Sequence, residues 1–191
     1  DGCVALMPNA IGAVIDARAD FVSMDADGFT LNWQEVIALR RVLYLALKGG
    51  SYHLGDLLTQ TDIVTDIAES GFGFSPTAAM FVSHCQTKST SDTGQAHDRM
   101  SIGAFDSISS RGAQATLDEN GTADSEVTTA IEFDEIYINI DTASAVQGLM
   151  DIKSVDSDGF TCIMDDADPA QAFVWYLAFG STPVVPPTPS P

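Results

Sequence analysis

Apolar and polar positions alternate along much of this chain with a period of two, in short runs bounded by turn-forming residues. Met100-Ser101-Ile102-Gly103-Ala104-Phe105 alternates in this way, as do Glu135-Ile136-Tyr137-Ile138-Asn139-Ile140 and the stretch Leu149–Val155. That period belongs to a strand with one face buried and one face wet. Ala78–Ser83 is a compact apolar run, and Ile63–Ile67 alternates weakly before the turn sequence Gly71-Phe72-Gly73-Phe74-Ser75-Pro76. From Asp106 to Glu126 the chain is rich in Ser, Gly and Asp, which predicts a long surface excursion. Many short strands separated by polar loops predict an all-β protein, an antiparallel β-sandwich.

The chain also carries a partial copy of itself. Ser23-Met24-Asp25-Ala26-Asp27-Gly28-Phe29-Thr30 returns as Ser154-Val155-Asp156-Ser157-Asp158-Gly159-Phe160-Thr161. Further on, Val42-Leu43-Tyr44-Leu45-Ala46-Leu47-Lys48-Gly49 returns as Val174-Trp175-Tyr176-Leu177-Ala178-Phe179-Gly180. The offset is 131 residues at Asp27/Asp158 (158 − 27) and 132 at Tyr44/Tyr176 (176 − 44), so one connecting loop is a residue longer. Alone, Glu35–Leu47 reads as an amphipathic helix with Val36, Leu39, Leu43 and Leu47 on one stripe. Its counterpart contains Pro169, which breaks a helix. Both apolar segments are therefore predicted as buried strands ending at glycine, with a turn of helix near Glu35–Arg40 left open.

The expected organisation is tandem related modules. Residues 1–50 form the C-terminal part of a first module, 51–181 a complete sandwich, and 182–191 a Pro-rich arm or linker that cannot join a sheet interior. A sandwich without most of its strands exposes unpaired edges. Either Asp1 is then not the native start, or the leading strands complete a sheet elsewhere.

Charge narrows the function classes. The 191 residues include 27 acidic and 8 basic side chains, a net charge of −19, and 21 of the acids are Asp. So few Lys and Arg exclude a phosphate-gripping nucleic-acid surface and disfavour binding to anionic membranes. No apolar run reaches the roughly 18 residues of a spanning helix. The acid excess reads either as a solvated surface suited to a salty medium or as carboxylates that collect divalent cations.

Candidate chemistry is sparse. Cys3, Cys85 and Cys162 are odd in number and lack CxxC spacing, and His53, His84 and His97 are scattered, so neither a disulfide framework nor a zinc site is predicted. His84-Cys85 reads as a strand end with one residue in and one out. In the Asp-x-Asp-Gly repeats an EF-hand register puts Gln34 or Asp165 where a bidentate Glu belongs. The repeats are therefore read as hairpin turns, with calcium in another geometry left as an alternative. Nucleophile-elbow, P-loop and dinucleotide motifs are absent, and no catalytic, cofactor or metal residue is assigned. Asp165-Asp166-Ala167-Asp168 reads as a solvated turn before Pro169. Trp33, Trp175, Tyr44 and Tyr176 read as core, with a sugar-stacking face as the alternative.

Several of these segments, in order, carry a resemblance. Gly73-Phe74-Ser75-Pro76, the strand Ala79-Met80-Phe81-Val82-Ser83, Ser110-Arg111-Gly112, Asp156-Ser157-Asp158-Gly159-Phe160 and Trp175-Tyr176-Leu177-Ala178-Phe179 resemble a module of tailed-bacteriophage structural proteins. That module has a GF-x-P strand, an s-x-RG loop, an sDGF turn and a closing Y-x-A-F strand on a concanavalin-like or jelly-roll sandwich. The resemblance covers residues 71–181, with its tail repeated at 20–49. It implies a non-enzymatic virion component, in the capsid decoration, tail or fibre, assembled in the host cytoplasm. Its implied partners are other virion proteins and copies of itself, with neither nucleic acid nor membrane. The alternative is a sandwich module that binds carbohydrate or a host receptor.

Overall fold

A computed structural model describes residues 4–6, 17–36, 44–87, 97–119, 127–143 and 145–180. Among these, residues up to Gly49 belong to one compact unit and those from Gly50 onward to a second. The described residues contain no helix, and every strand pairing is antiparallel. The first unit holds β1 (Val4–Leu6), β2 (Ala17–Met24) and β3 (Phe29–Val36), in that order across one sheet.

The second unit contains β4 (Ser51–Leu58), β5 (Ile67–Ser70), β6 (Pro76–Ser83), β7 (Asp98–Ser107), β8 (Ser110–Asp118) and β9 (Val127–Glu132), followed by β10 (Tyr137–Ile140), β11 (Val146–Asp156), β12 (Gly159–Asp166) and β13 (Phe173–Gly180). They form a six-stranded sheet, β4-β13-β6-β7-β8-β9, and a four-stranded sheet, β10-β11-β12-β5. The apolar sides of the two sheets share one core, so this unit is a β-sandwich. At its centre Phe160 of β12 meets Tyr176, Phe72, Phe81 and Phe105, with ring centroids 5.0, 5.5, 5.6 and 6.0 Å away. Ala79 and Ala178 of the large sheet, small residues in the same cluster, leave space for the rings.

Strand β10 lies closest to the large sheet. The Ile138 amide donates to Ser101 Oγ at 3.1 Å, and a Cβ on Gly103 would lie 1.9 Å from the Ile136 carbonyl oxygen. Only glycine admits β10 there. A second core cluster joins Ile138 and Ile140 to Ala113, Ala115 and Leu117 of β8.

Several segments depart from their sequence expectation. The predicted excursion from Asp106 to Glu126 contains β8, entered by a tight turn at Ile108-Ser109. Its inner face is Ala113, Ala115 and Leu117, too small in side chain to stand out as a hydrophobic strand. Ile63 is not in a strand. The Asp62 carboxylate accepts the Val64 and Thr65 amides at 2.9 and 2.7 Å, folding this stretch into a turn, and β5 begins only at Ile67. Glu35 and Val36 close β3 and open no helix, while 37–43 lie outside the described residues. Val174–Gly180 is part of β13 as expected, but Tyr44–Lys48 is exposed and carries no strand. The arm at 182–191 also lies outside the described residues.

The Asp-x-Asp-Gly segments are hairpin turns, and the two hairpins agree in register. Ala19↔Trp33, Phe21↔Leu31 and Ser23↔Thr30 correspond to Met150↔Met164, Ile152↔Cys162 and Ser154↔Thr161. Both ladders slip at the same two places, between Arg18/Ala19 and Phe21/Ser23 and between Leu149/Met150 and Ile152/Ser154. Asp25 accepts hydroxyls from Ser23 and Thr30 at 2.9 and 2.7 Å, and Asp156 accepts those of Ser154 and Thr161, both at 3.0 Å. A carboxylate held by the two strand ends fixes the turn.

Gly103→Ala is expected to lower unfolding stability by about 3 kcal/mol in denaturant titration, because the obstructing atom is backbone. Gly28→Ala, with nothing within 4 Å of its added Cβ, should change it by less than about 0.5 kcal/mol.

Candidate functional site

An antiparallel sandwich usually turns one polar face of each sheet to water. The six-stranded sheet does so only in part. Its outward positions include Tyr52, Leu54, Asp56 and Leu58 on β4, Trp175 and Leu177 on β13, Met80 and Val82 on β6, Met100 and Ile102 on β7, and Val127 and Ile131 on β9, with polar Thr77 on β6, Gln114 and Thr116 on β8 and Thr129 on β9 among them. Register places them in rows: Leu54, Leu177, Met80 and Ala104 run across four strands, and beside them Asp56, Trp175, Val82, Ile102, Gln114 and Ile131 run across six. Leu54 is 74% exposed, and Met80, Val82, Ile102 and Trp175 are each about half exposed. No outward position in either row is Lys or Arg, while Asp98, Asp106 and Asp118 stand towards the strand ends.

Trp175 forms the aromatic corner of this face. Its ring is 4.6 Å from Phe173, edge to face, and 5.5 Å from His84. Burial holds the His84 imidazole below its usual value, so it stands there as a neutral ring. The expectation of core packing therefore holds for Tyr176, which is buried, but not for Trp33, Trp175 or Tyr44, which remain substantially exposed.

His84 and Cys85 do split one out and one in. Cys85 takes a left-handed backbone at φ 54°, and its buried Sγ donates to the Ile138 carbonyl at 3.5 Å. Burial pushes this thiol up to about 11, and that of the fully buried Cys162 well above its ordinary value, so neither is a nucleophile at neutral pH. Cys3 lies outside the described residues.

The acidic run that ends β12 and enters the following loop divides in two. Asp165 and Asp166 are exposed as expected, but Asp168 is completely buried. Its carboxylate accepts Tyr137 Oη at 2.8 Å, Thr59 Oγ1 at 3.1 Å, Asn139 Nδ2 at 3.1 Å and the Ala170 amide at 3.3 Å. Thr59 Oγ1 also accepts the Ala172 amide at 2.7 Å. Four donors satisfy the charge that the sequence alone assigned to water. The cluster ties β10 and the loop after β4 to the loop before β13. Burial, followed by the charge on Cys85 and Asp168, keeps the Tyr137 phenol protonated.

A second polar group surrounds Arg111. Its guanidinium donates to the Ile108 and Asp134 carbonyls and pairs with Asp151, Nη2 to Oδ2 being 2.6 Å. Glu135 lies beside it, buried, with Oε2 unpartnered. Burial, then the charges of Asp165, Asp151 and Asp134, push its carboxyl up to about 8. Among the described residues, no three His, Cys, Asp or Glu side chains approach closely enough to hold a metal ion.

Comparison with protein-family models, with curated proteins and with solved structures found no match.

Two outcomes follow from the polar clusters. Asp168→Ala should cost about 3 kcal/mol or more by leaving buried donors unpaired, whereas Tyr137→Phe should cost about 1–2 kcal/mol, both read by chemical denaturation. The folded Glu135 carboxyl binds its proton up to about 8, against an ordinary value of 4.5. Between these values the folded state holds the extra proton, so stability falls as pH rises. Melting temperature should decline across that window, and Glu135→Gln should flatten the decline.

Proposed function

We propose that this chain is a non-enzymatic structural subunit of a tailed-bacteriophage particle, as a capsid decoration or as part of a tail or fibre. The observation that carries the reading is the contiguous apolar outer face of the six-stranded sheet in a chain of net charge −19. An apolar patch of this breadth on so acidic a chain fits an interface better than a solvated surface. The GF-x-P, RG, DGF and Y-x-A-F segments support the class of protein, and we read the sandwich as concanavalin-like or jelly-roll on the same basis. The partners are other virion proteins and copies of the chain, met where an apolar centre is bordered by Lys and Arg that complement the Asp rim. Particle symmetry multiplies such contacts. Assembly takes place in the host cytoplasm, with neither nucleic acid nor membrane as partner. No catalytic step and no cofactor is invoked; bound calcium is the alternative for the acid excess.

A second reading has its own observation. Trp175 is half exposed beside His84, with Asp56 facing it across β4, a combination suited to stacking and hydrogen-bonding a sugar ring.

Quantitative mass spectrometry of purified particles should find the chain at a symmetric copy number. The double substitution Leu54→Asp, Met80→Asp should lower incorporation at least about tenfold while leaving the melting temperature nearly unchanged. Complete absence from particles would end the structural reading. A glycan-array signal abolished by Trp175→Ala would favour the second.

A further inference from the structure

Among the described residues, the sheet of the first unit matches the small sheet of the sandwich. β2 and β3 match β11 and β12 at an offset of 131 (150 − 19), slips included, and β1 lies on β2 as β10 lies on β11, Val4 facing Ala19 where Tyr137 faces Met150. In the second unit the inner positions of this hairpin are closed: Ile152 is 3% exposed, Met164 1%, and Phe160 and Cys162 0%. Of the matching positions Ala17 and Ala19 are closed, at 2% and 0%, but those nearer the turn are open. Phe21 is 51% exposed, Trp33 40%, and Phe29 and Leu31 are half-buried.

The segment 44–48 shows what kind of element belongs over them. Tyr44 meets Phe29 edge to face at 4.9 Å and 86°, as Tyr176 meets Phe160 at 5.0 Å and 75°. Tyr44 thus occupies the place of Tyr176, and its segment the place of β13. Yet β13 is paired on both sides, by β4 and β6, whereas 44–48 carries no ladder and Tyr44 is 72% exposed. Aromatic rings on a partly open inner face, next to a segment that pairs with no strand among the described residues, are what a sandwich shows when its covering strands are elsewhere.

We propose that this face is completed by a six-stranded sheet of the kind built by β4, β13, β6, β7, β8 and β9, contributed by the same polypeptide ahead of β1. Chain order argues for that source. In the second unit the strands β4–β9 precede β10, and the first unit presents counterparts of β10, β11, β12 and β13 in this sequence. Gly49 and Gly50, with φ 77° and 91°, then lead directly from the β13 counterpart into β4, the joint expected between modules in tandem. The counterparts of β4–β9 therefore belong before β1, and 44–48 becomes a paired strand between two of them. This inference does not rest on the virion reading.

The test places a second copy of residues 50–136 ahead of Asp1 of the full chain and follows Trp33. Trp175→Phe removes the other tryptophan, and the duplicated stretch contains none. In the extended, monomeric protein, acrylamide quenching of Trp33 should fall to the level of a buried residue and amide exchange in β2 and β3 should slow. Phe21→Asp should restore quenching, and Val22→Asp, on the opposite side of β2, should not. The unfolding transition of the second unit reports that each variant has folded. Trp33 as accessible in the extended protein as in the 191-residue chain would overturn the proposal. So would quenching that falls with concentration in the 191-residue chain alone, because a second copy would then cover the face.

Discussion

The second unit is organised by one ring. Phe160 sits between the sheets because the residues before it close a hairpin of fixed register, and because the small Ala79 and Ala178 of the large sheet line the same cluster. The turn does a second task. The Asp158 carboxylate accepts the Gly71 and Gly73 amides at 3.1 and 2.5 Å, drawing the 71–75 loop over the hairpin so that Phe72 and Phe74 enter the core. Gly71 and Gly73 both adopt positive φ, which lets their amides converge on one carboxylate. Three short features of the sequence, a GFGF segment, a DGF turn and a Y-x-A-F strand, are thus parts of one packing arrangement.

This explains what was legible in advance. The DGF turn and the β13 strand were readable because they occur twice, and duplication separates a structural signal from chance. β8 was not, since its inner face is alanine and its serine-rich approach resembles a loop. β4 was missed because its inward face is Ser51, His53, Gly55 and Leu57, with no apolar run to mark it. Its apolar Tyr52, Leu54 and Leu58 face outward, and alternation alone does not say which side of a strand turns inward. Asp168 was misread because its partners Thr59, Tyr137 and Asn139 are 109, 31 and 29 residues away in sequence.

The acidity divides along similar lines. Asp25, Asp62, Asp141 and Asp156 are each fastened into a turn by amides or hydroxyls, and Asp158 and Asp168 hold separate segments together. Lys153 reaches Asp66 at 2.6 Å, an exposed pair that contributes little. The Arg111–Asp151 pair is better sheltered and gathers three chain segments. Across the rest of the surface the acids repel one another, and dissolved salt screens that repulsion.

Asp25 and Asp156 have a practical bearing on any recharging of this chain. Both sit at the tips of hairpins, where solvent accessibility alone would mark them as free to exchange for lysine. Each, however, clasps two hydroxyls contributed by opposite strands, so its replacement would release the end of a ladder as well as alter the charge. Recharging should begin at carboxylates that organise no turn, and the serine, aspartate and threonine of each hairpin should be kept or exchanged as a trio.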